Sequence, residues 1–200
     1  LDNLLLESFV TFPPLRDAEF VLCVRTVGLN FHDVLNVLGE YLGDQGPPSG
    51  EVSGLVGEAP LSAYAVFGFV HAPLASVAIA IAHFVADKPA ALSFEQACTL
   101  PVAWSTAHLA IERTGLCAGR LVVQTLAGGA ALKAIEYAQW LNVLLTCTVG
   151  RPHKHVNMRD MGSIALCSSS SSAAFAIGAA QLLQTARSHA VLNSLSFDIV

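Results

Sequence analysis

Two kinds of hydrophobic patterning divide the chain near residue 90. Residues 20–27 alternate and are rich in β-branched side chains, which is the period of a strand. Residues 30–38 place Phe31, Val34, Leu35 and Leu38 at helical spacing, and residues 39–50 hold four glycines and two prolines, the composition of a loop. Residues 51–57 and 63–69 read as further strands. The largely apolar stretch 65–86 is about long enough to cross a bilayer, but Gly68, His71, Pro73, Ser76 and His83 interrupt it. Two buried strands joined by a turn near His71-Ala72-Pro73 are expected instead. Ser93, followed three residues later by Gln96, is the signature of a capping box that opens a helix, and residues 101–113 continue as helix.

From residue 121 the pattern becomes strand and helix in alternation. Strands are expected over 121–126, 142–149, 163–167 and 189–192, with helices over 131–141, 155–161 and 173–187. Such alternation implies a parallel sheet with helices on both faces. The expected class is therefore α/β: a β-rich part, 1–90, feeding a doubly wound nucleotide-binding part, 91–200. The five-serine run 168–172 reads as a flexible loop.

Composition changes this picture in one respect. Hydrophobic residues make up 54% of the 200 positions and charged residues 12%, about half the usual ~25%, so part of the surface is expected to be covered in a larger chain or an oligomer. Both ends look cut, and the sheet is expected to lack its last strands. The net charge of −5 offers no basic patch for nucleic acid. Five scattered cysteines without a C-x-x-C pair predict buried or half-buried thiols in a reducing compartment. Asp2 and Glu7 stand where a signal peptide would be basic.

The candidate chemistry sits between the first two strands of the second part. Leu121-Val122-Val123-Gln124-Thr125-Leu126 is followed by Ala127-Gly128-Gly129-Ala130-Ala131 and then by a helix. This is the layout of a βαβ nucleotide-binding unit. Glycines let the backbone approach a pyrophosphate, and the helix start offers unpaired N–H groups and a positive dipole end. An NAD site usually carries an acidic residue after the second strand for the ribose 2′-OH. Here Gly150 and Arg151 stand there with Lys154 nearby, a pair suited to a 2′-phosphate and hence to NADPH. The competing readings are an ordinary strand-to-helix turn and solvated basic residues. The seven histidines form no metal pattern; His153 and His155 are the only close pair.

This layout, together with residues 28–41 (GLNFHDVLNVLGEY), 50–56 (GEVSGLV), 66–68 (VFG), 88–97 (KPAALSFEQA), 100–107 (LPVAWSTA), 127–129 (AGG), 150–155 (GRPHKH) and 191–196 (VLNSLS), resembles the zinc-independent medium-chain dehydrogenase/reductase superfamily. It is most similar to the enoylreductase domains of type I polyketide synthases and animal-type fatty acid synthases. The resemblance implies a GroES-like N-terminal part and a Rossmann C-terminal part. It implies NADPH-dependent reduction of a trans-2-enoyl thioester on an acyl carrier protein, with hydride going to the β-carbon and a proton to the α-carbon.

By the same resemblance Tyr41 is the candidate proton donor to the α-carbon, and Lys154 is a second candidate for that role, ranked below its phosphate role. Asn30 and Thr106 line the nicotinamide and thioester region, and Asn193 lies beside the nicotinamide ribose. Zinc-binding relatives carry cysteine ligands near 30–33, and none stands there. Two departures are visible. The family's Gly-Gly-Val-Gly loop reads Gly-Gly-Ala-Ala, so a Cβ at Ala131 is expected to crowd the dinucleotide, and Ser170-Ser171-Ser172 replaces a Ser-Arg-Asp carrying an acid implicated in catalysis. Neighbouring synthase domains are implied partners, self-association into a homodimer stays open, neither nucleic acid nor membrane is expected, and the setting is cytoplasmic. Two alternatives remain open: a catalytically impaired remnant of such a domain, and a free-standing quinone oxidoreductase.

Overall fold

The computed structural model describes residues 14–40, 50–56, 64–115, 121–125, 129–162, 165–168, 171–185 and 188–193. The chain divides into two compact units, Leu1–Val102 and Ala103–Val200.

In the first unit, β1 (Glu19–Gly28), β2 (Glu51–Val56), β3 (Tyr64–Val70) and β4 (Val77–Asp87) close into an antiparallel barrel in the order β1-β2-β3-β4. Closure leaves these strands no free edge. The interior is filled by Leu22, Val52, Val56, Val66, Val70, Ala78 and Ala80. Alternation along β1 turns Leu22 inward and Cys23 outward, so Cys23 is an exposed free thiol, contrary to the expectation of burial; Cys98 and Cys147 are buried. The apolar stretch 65–86 does fold as two strands with a turn at 71–76, but β4 is buried only in its first half. Its pairing with β3 jumps from Gly68↔Val85 to Val70↔Ala80. The residues within that jump, Ile81 to Phe84, are left facing solvent.

Two short helices attach to the barrel unit. α1 (Phe31–Leu38) starts where the Asn30 N–H donates to Asp33 Oδ2 at 2.7 Å and ends at Gly39, whose φ of 73° needs no Cβ. α2 (Phe94–Cys98) is opened by Ser93, whose Oγ accepts from the Gln96 N–H while Gln96 Oε1 accepts from the Ser93 N–H. Backbone and Ser93 hydrogen bonds hold the Glu95 carboxyl in this first turn below its ordinary value. Ser53, fully buried in β2, donates to the Phe94 carbonyl at 2.6 Å and ties α2 to the barrel wall.

In the second unit, β5 (Leu121–Thr125), β6 (Leu144–Val149), β7 (Ala165–Ser168) and β8 (Ser188–Asn193) form a parallel sheet in the order β7-β6-β5-β8. The intervening helices are α4 (Gly129–Trp140), α5 (Pro152–Asp160) and α6 (Ser172–Thr185), preceded by α3 (Pro101–Thr114), whose first two residues, Pro101 and Val102, belong to the first unit. β6 is buried at five consecutive residues, as a strand covered on both faces must be. Ile135 and Ala138 of α4 and Met158 of α5 pack on Leu145, Cys147 and Val149 of β6, and a second face of α4 meets Ala107 and Ile111 of α3 through Ala134.

Several boundaries differ from expectation, and those of α4, β6 and α5 have a local reason. α4 starts at Gly129 and ends at Trp140; two residues on, Asn142 takes a φ of 56° while the Val143 N–H reaches back to the Ala138 carbonyl. That left-handed stop delays β6 to Leu144. α5 starts at Pro152, a residue whose fixed φ suits the first helical position. The serine run is not a loop at the positions described: Ser168 ends β7, Ser172 begins α6, and Ser171 Oγ accepts from the Ala174 N–H at 3.3 Å.

Among the described residues, no helix is long and apolar enough to cross a membrane. The buried hydroxyl of Thr146 in β6 has no hydrogen-bond partner. Thr146→Val keeps the shape and removes the unsatisfied group, so it is expected to raise stability by about 1 kcal/mol, read as a higher urea midpoint at unchanged slope.

Candidate functional site

The parallel sheet sets up the site through its strand order. β5 is the first strand in sequence yet lies inside the sheet; β6 and β7 build outward on one side of it and β8 lies on the other. The order therefore reverses at β5, and in open α/β sheets ligands bind beyond the carboxyl ends of the strands at such a switch point. The register brings Thr148 of β6, Thr125 of β5 and Asn193 of β8 side by side at that edge. Of the residues singled out in the sequence, Gly129, Ala130 and Ala131 form the first turn of α4, Arg151 is the N-cap residue of α5, Lys154 lies in its first turn, and Asn193 ends β8. The fold thus gathers six candidates at one edge of one sheet.

A helix start favours carboxylates in its first turn, and α1 and α2 have them in Asp33 and Glu95. α4 and α5 have none, and neither do α3 and α6. α5 instead presents Arg151, exposed and making no side-chain cap bond, with Lys154 half-buried one turn on. Two helix starts free of acid, one of them flanked by cations, suit an anionic ligand such as a pyrophosphate carrying an additional phosphate. A cleft of about 430 Å³ is lined by Leu132 of α4, by His153, Lys154, Asn157, Met158 and the acidic Asp160 of α5, and by Met161.

Ala131 is 2% exposed. Thr106 is exposed on α3. Tyr41, Ala127 and Gly128 lie outside the described residues. Among the described residues, no group of three or more His, Cys, Asp or Glu side chains is placed to hold a metal ion.

Asn30 belongs to the first unit, where its Nδ2 donates to Glu51 Oε1 at 2.9 Å. Glu51 is 3% exposed, and its Oε2 accepts from the Val102 N–H at 3.0 Å. Sequence reasoning missed this carboxylate, because an acid at the start of a β-rich segment reads as a solvated strand end. The available signal was Gly28, the last residue of β1, whose missing side chain makes room for Glu51.

No protein-family model matches the chain. It is 34% identical over 159 residues to the spectinabilin polyketide synthase system protein NorB of Streptomyces orinoci, a match covering 74% of this chain and 7% of that protein. Among solved structures it is similar to the CurK enoyl reductase, with a TM-score of 0.83 and 26% identity over 98% of this chain and 64% of that one. It is also similar to the quinone oxidoreductase of Thermus thermophilus, a structure solved also with NADPH, with a TM-score of 0.68 and 28% identity over 80% of this chain and 55% of that one. The chain therefore spans a small part of the curated relative and less than two thirds of the two solved chains.

Proposed function

We propose, for a chain that belongs to the medium-chain dehydrogenase/reductase superfamily and within it to the enoylreductase type of polyketide synthases, that it reduces a trans-2-enoyl thioester on an acyl carrier protein with NADPH. The observation that carries this reading is a pair of acid-free helix starts beyond the carboxyl ends of β5 and β6, the second of them flanked by Arg151 and Lys154. In this reading the barrel part, 1–90, is GroES-like and shapes the substrate side, while the Rossmann part, 91–200, holds the cofactor.

When bound, NADPH supplies the hydride that the β-carbon receives. The chain's own groups bind, orient and move protons. Backbone N–H groups of Ala127 and Gly128 and of the start of α4 would hold the pyrophosphate, and Arg151 and Lys154 would hold the 2′-phosphate through charge-assisted hydrogen bonds. By the resemblance, Asn193 would lie beside the nicotinamide ribose, and Asn30 and Thr106 would contribute to the nicotinamide and thioester region. Negative charge developing on the thioester oxygen needs donors aimed at it. Tyr41 gives its phenolic proton to the α-carbon. The position of Lys154 in the first turn of α5, beside Arg151, supports its phosphate role over its proton-donor role. Neighbouring synthase domains deliver and remove the carrier-bound acyl chain.

A catalytically impaired remnant is the second reading. One observation favours it: α6 starts with Ser172, capped by Ser171, and has no acid in its first turn. Turnover separates the two. The chain mixed with NADPH and a crotonyl thioester is expected to oxidise the cofactor in step with loss of the enoyl group; binding without turnover would leave the remnant. With an α-methyl enoyl substrate, Tyr41→Phe is expected to change the configuration at the α-carbon, and an unchanged product would remove Tyr41 from the proton transfer.

A further inference from the structure

We propose that Glu51 is the positioning residue of this site, fixing the Asn30 amide on the barrel side. The inference rests on the enoylreductase reading for its functional half and on geometry alone for its structural half. Each oxygen of the carboxylate has a separate task. Oε1 accepts from Asn30 Nδ2 at 2.9 Å, and Oε2 accepts from the Val102 N–H at 3.0 Å, in the first turn of α3. α3 has no acid of its own in that turn, so Glu51 provides from β2 the negative charge that its dipole favours.

The side chain is 3% exposed, and a carboxylate so buried is held only when hydrogen bonds replace its water. The backbone around it is shaped to admit it. A Cβ on Gly28 would overlap Glu51 Cγ and Oε1 and lie 2.5 Å from Cδ. In addition, Gly28 and Glu51 are register partners in the β1–β2 pairing. Asn30 therefore receives its orientation from a group that is itself immobilised on three sides, by Gly28, by Val102 and by its own strand. An asparagine amide has two faces, a donor and an acceptor. With the Nδ2 group directed to Glu51, the orientation of Oδ1 is settled as well. A side chain pre-oriented in this way spends no reorganisation at the moment of reaction.

Glu51→Gln tests this directly. A glutamine presents one acceptor and one donor, so either Asn30 Nδ2 or the Val102 N–H meets an NH₂ group. The expected result is a folded chain whose affinity for NADPH stays within about threefold, and whose kcat for crotonyl-thioester reduction falls at least about tenfold. In an Asn30→Ser background, which keeps a capping oxygen but removes the amide, Glu51→Gln should have no further effect on kcat. Gly28→Ala, which displaces the carboxylate without altering its chemistry, should reproduce the loss.

Equal losses from Glu51→Gln in both backgrounds, or an unchanged kcat, would overturn the proposal. A chain with no NADPH-dependent turnover at all would remove the enoylreductase reading instead. The positioning claim then stands or falls on the Asn30 side-chain amide protons by NMR. Slow solvent exchange in the parent chain, lost in Glu51→Gln while core amides keep theirs, supports it; exchange as fast as that of an exposed asparagine in the parent chain refutes it.

Discussion

Gly68→Ala is expected to be the most destabilising single-methyl change available in the barrel. A Cβ there would overlap the Phe84 carbonyl oxygen and lie 2.6 Å from Val85 Cα. Both neighbours are backbone, so neither yields by a rotamer change. The clash falls where the β3–β4 ladder shifts its register, and closing the barrel there depends on the two strands approaching without an intervening side chain. Relief requires β3 and β4 to separate, which exposes Val66 and Val70, now 2% and 6% exposed. Losing the burial of these two side chains together with ladder bonds costs about 4 kcal/mol or more. Gly50→Ala is the matched control, since a Cβ there meets nothing within 4 Å; its effect should stay within about 0.5 kcal/mol. Urea unfolding followed by circular dichroism distinguishes them, and equal midpoints would refute the close approach.

The second large effect concerns cofactor choice. The double variant Arg151→Ala/Lys154→Ala is expected to weaken NADPH binding by about a hundredfold, the equivalent of ~3 kcal/mol from two charge-assisted contacts to a phosphate. NADH lacks that phosphate, so its affinity should move less than about threefold. The sum is set at the low end because Arg151 is exposed and its interactions are screened. Arg159, at the opposite end of α5, supplies the control: Arg159→Ala removes the same charge from the same helix and should leave the NADPH-to-NADH ratio unchanged. A parallel drop for both cofactors would show that the two cations act on the pyrophosphate or on folding.

How much of this was legible in the sequence depends on the range of the interaction responsible. The order of elements followed from local pattern: Ser93 marks a helix start, and the break at His71-Ala72-Pro73 turns an apolar stretch into two strands. The parallel sheet followed from strand–helix alternation, and the place of Arg151 and Lys154 at the end of β6 followed from it. Barrel closure was not legible, because it rests on the register of β1 with both β2 and β4. Nor was the solvent-facing half of β4, whose cause lies in the shifted pairing with β3. Asn142 shortened a strand through a left-handed backbone that its amino-acid type permits but does not demand. Glu51 was hidden for the most physical reason: its partners lie 21 residues upstream and 51 residues downstream. Only the folded barrel brings a glycine, an asparagine and a helix start around one carboxylate.

The central claim is that the acid-free helix starts beyond the carboxyl ends of β5 and β6 bind the phosphates of NADPH. Titrating the chain with NADPH and with NADH, followed by nicotinamide fluorescence, tests it most directly. Saturable NADPH binding in the micromolar range, with NADH at least about tenfold weaker, is the predicted result. No saturation with NADPH at millimolar concentration would contradict the account.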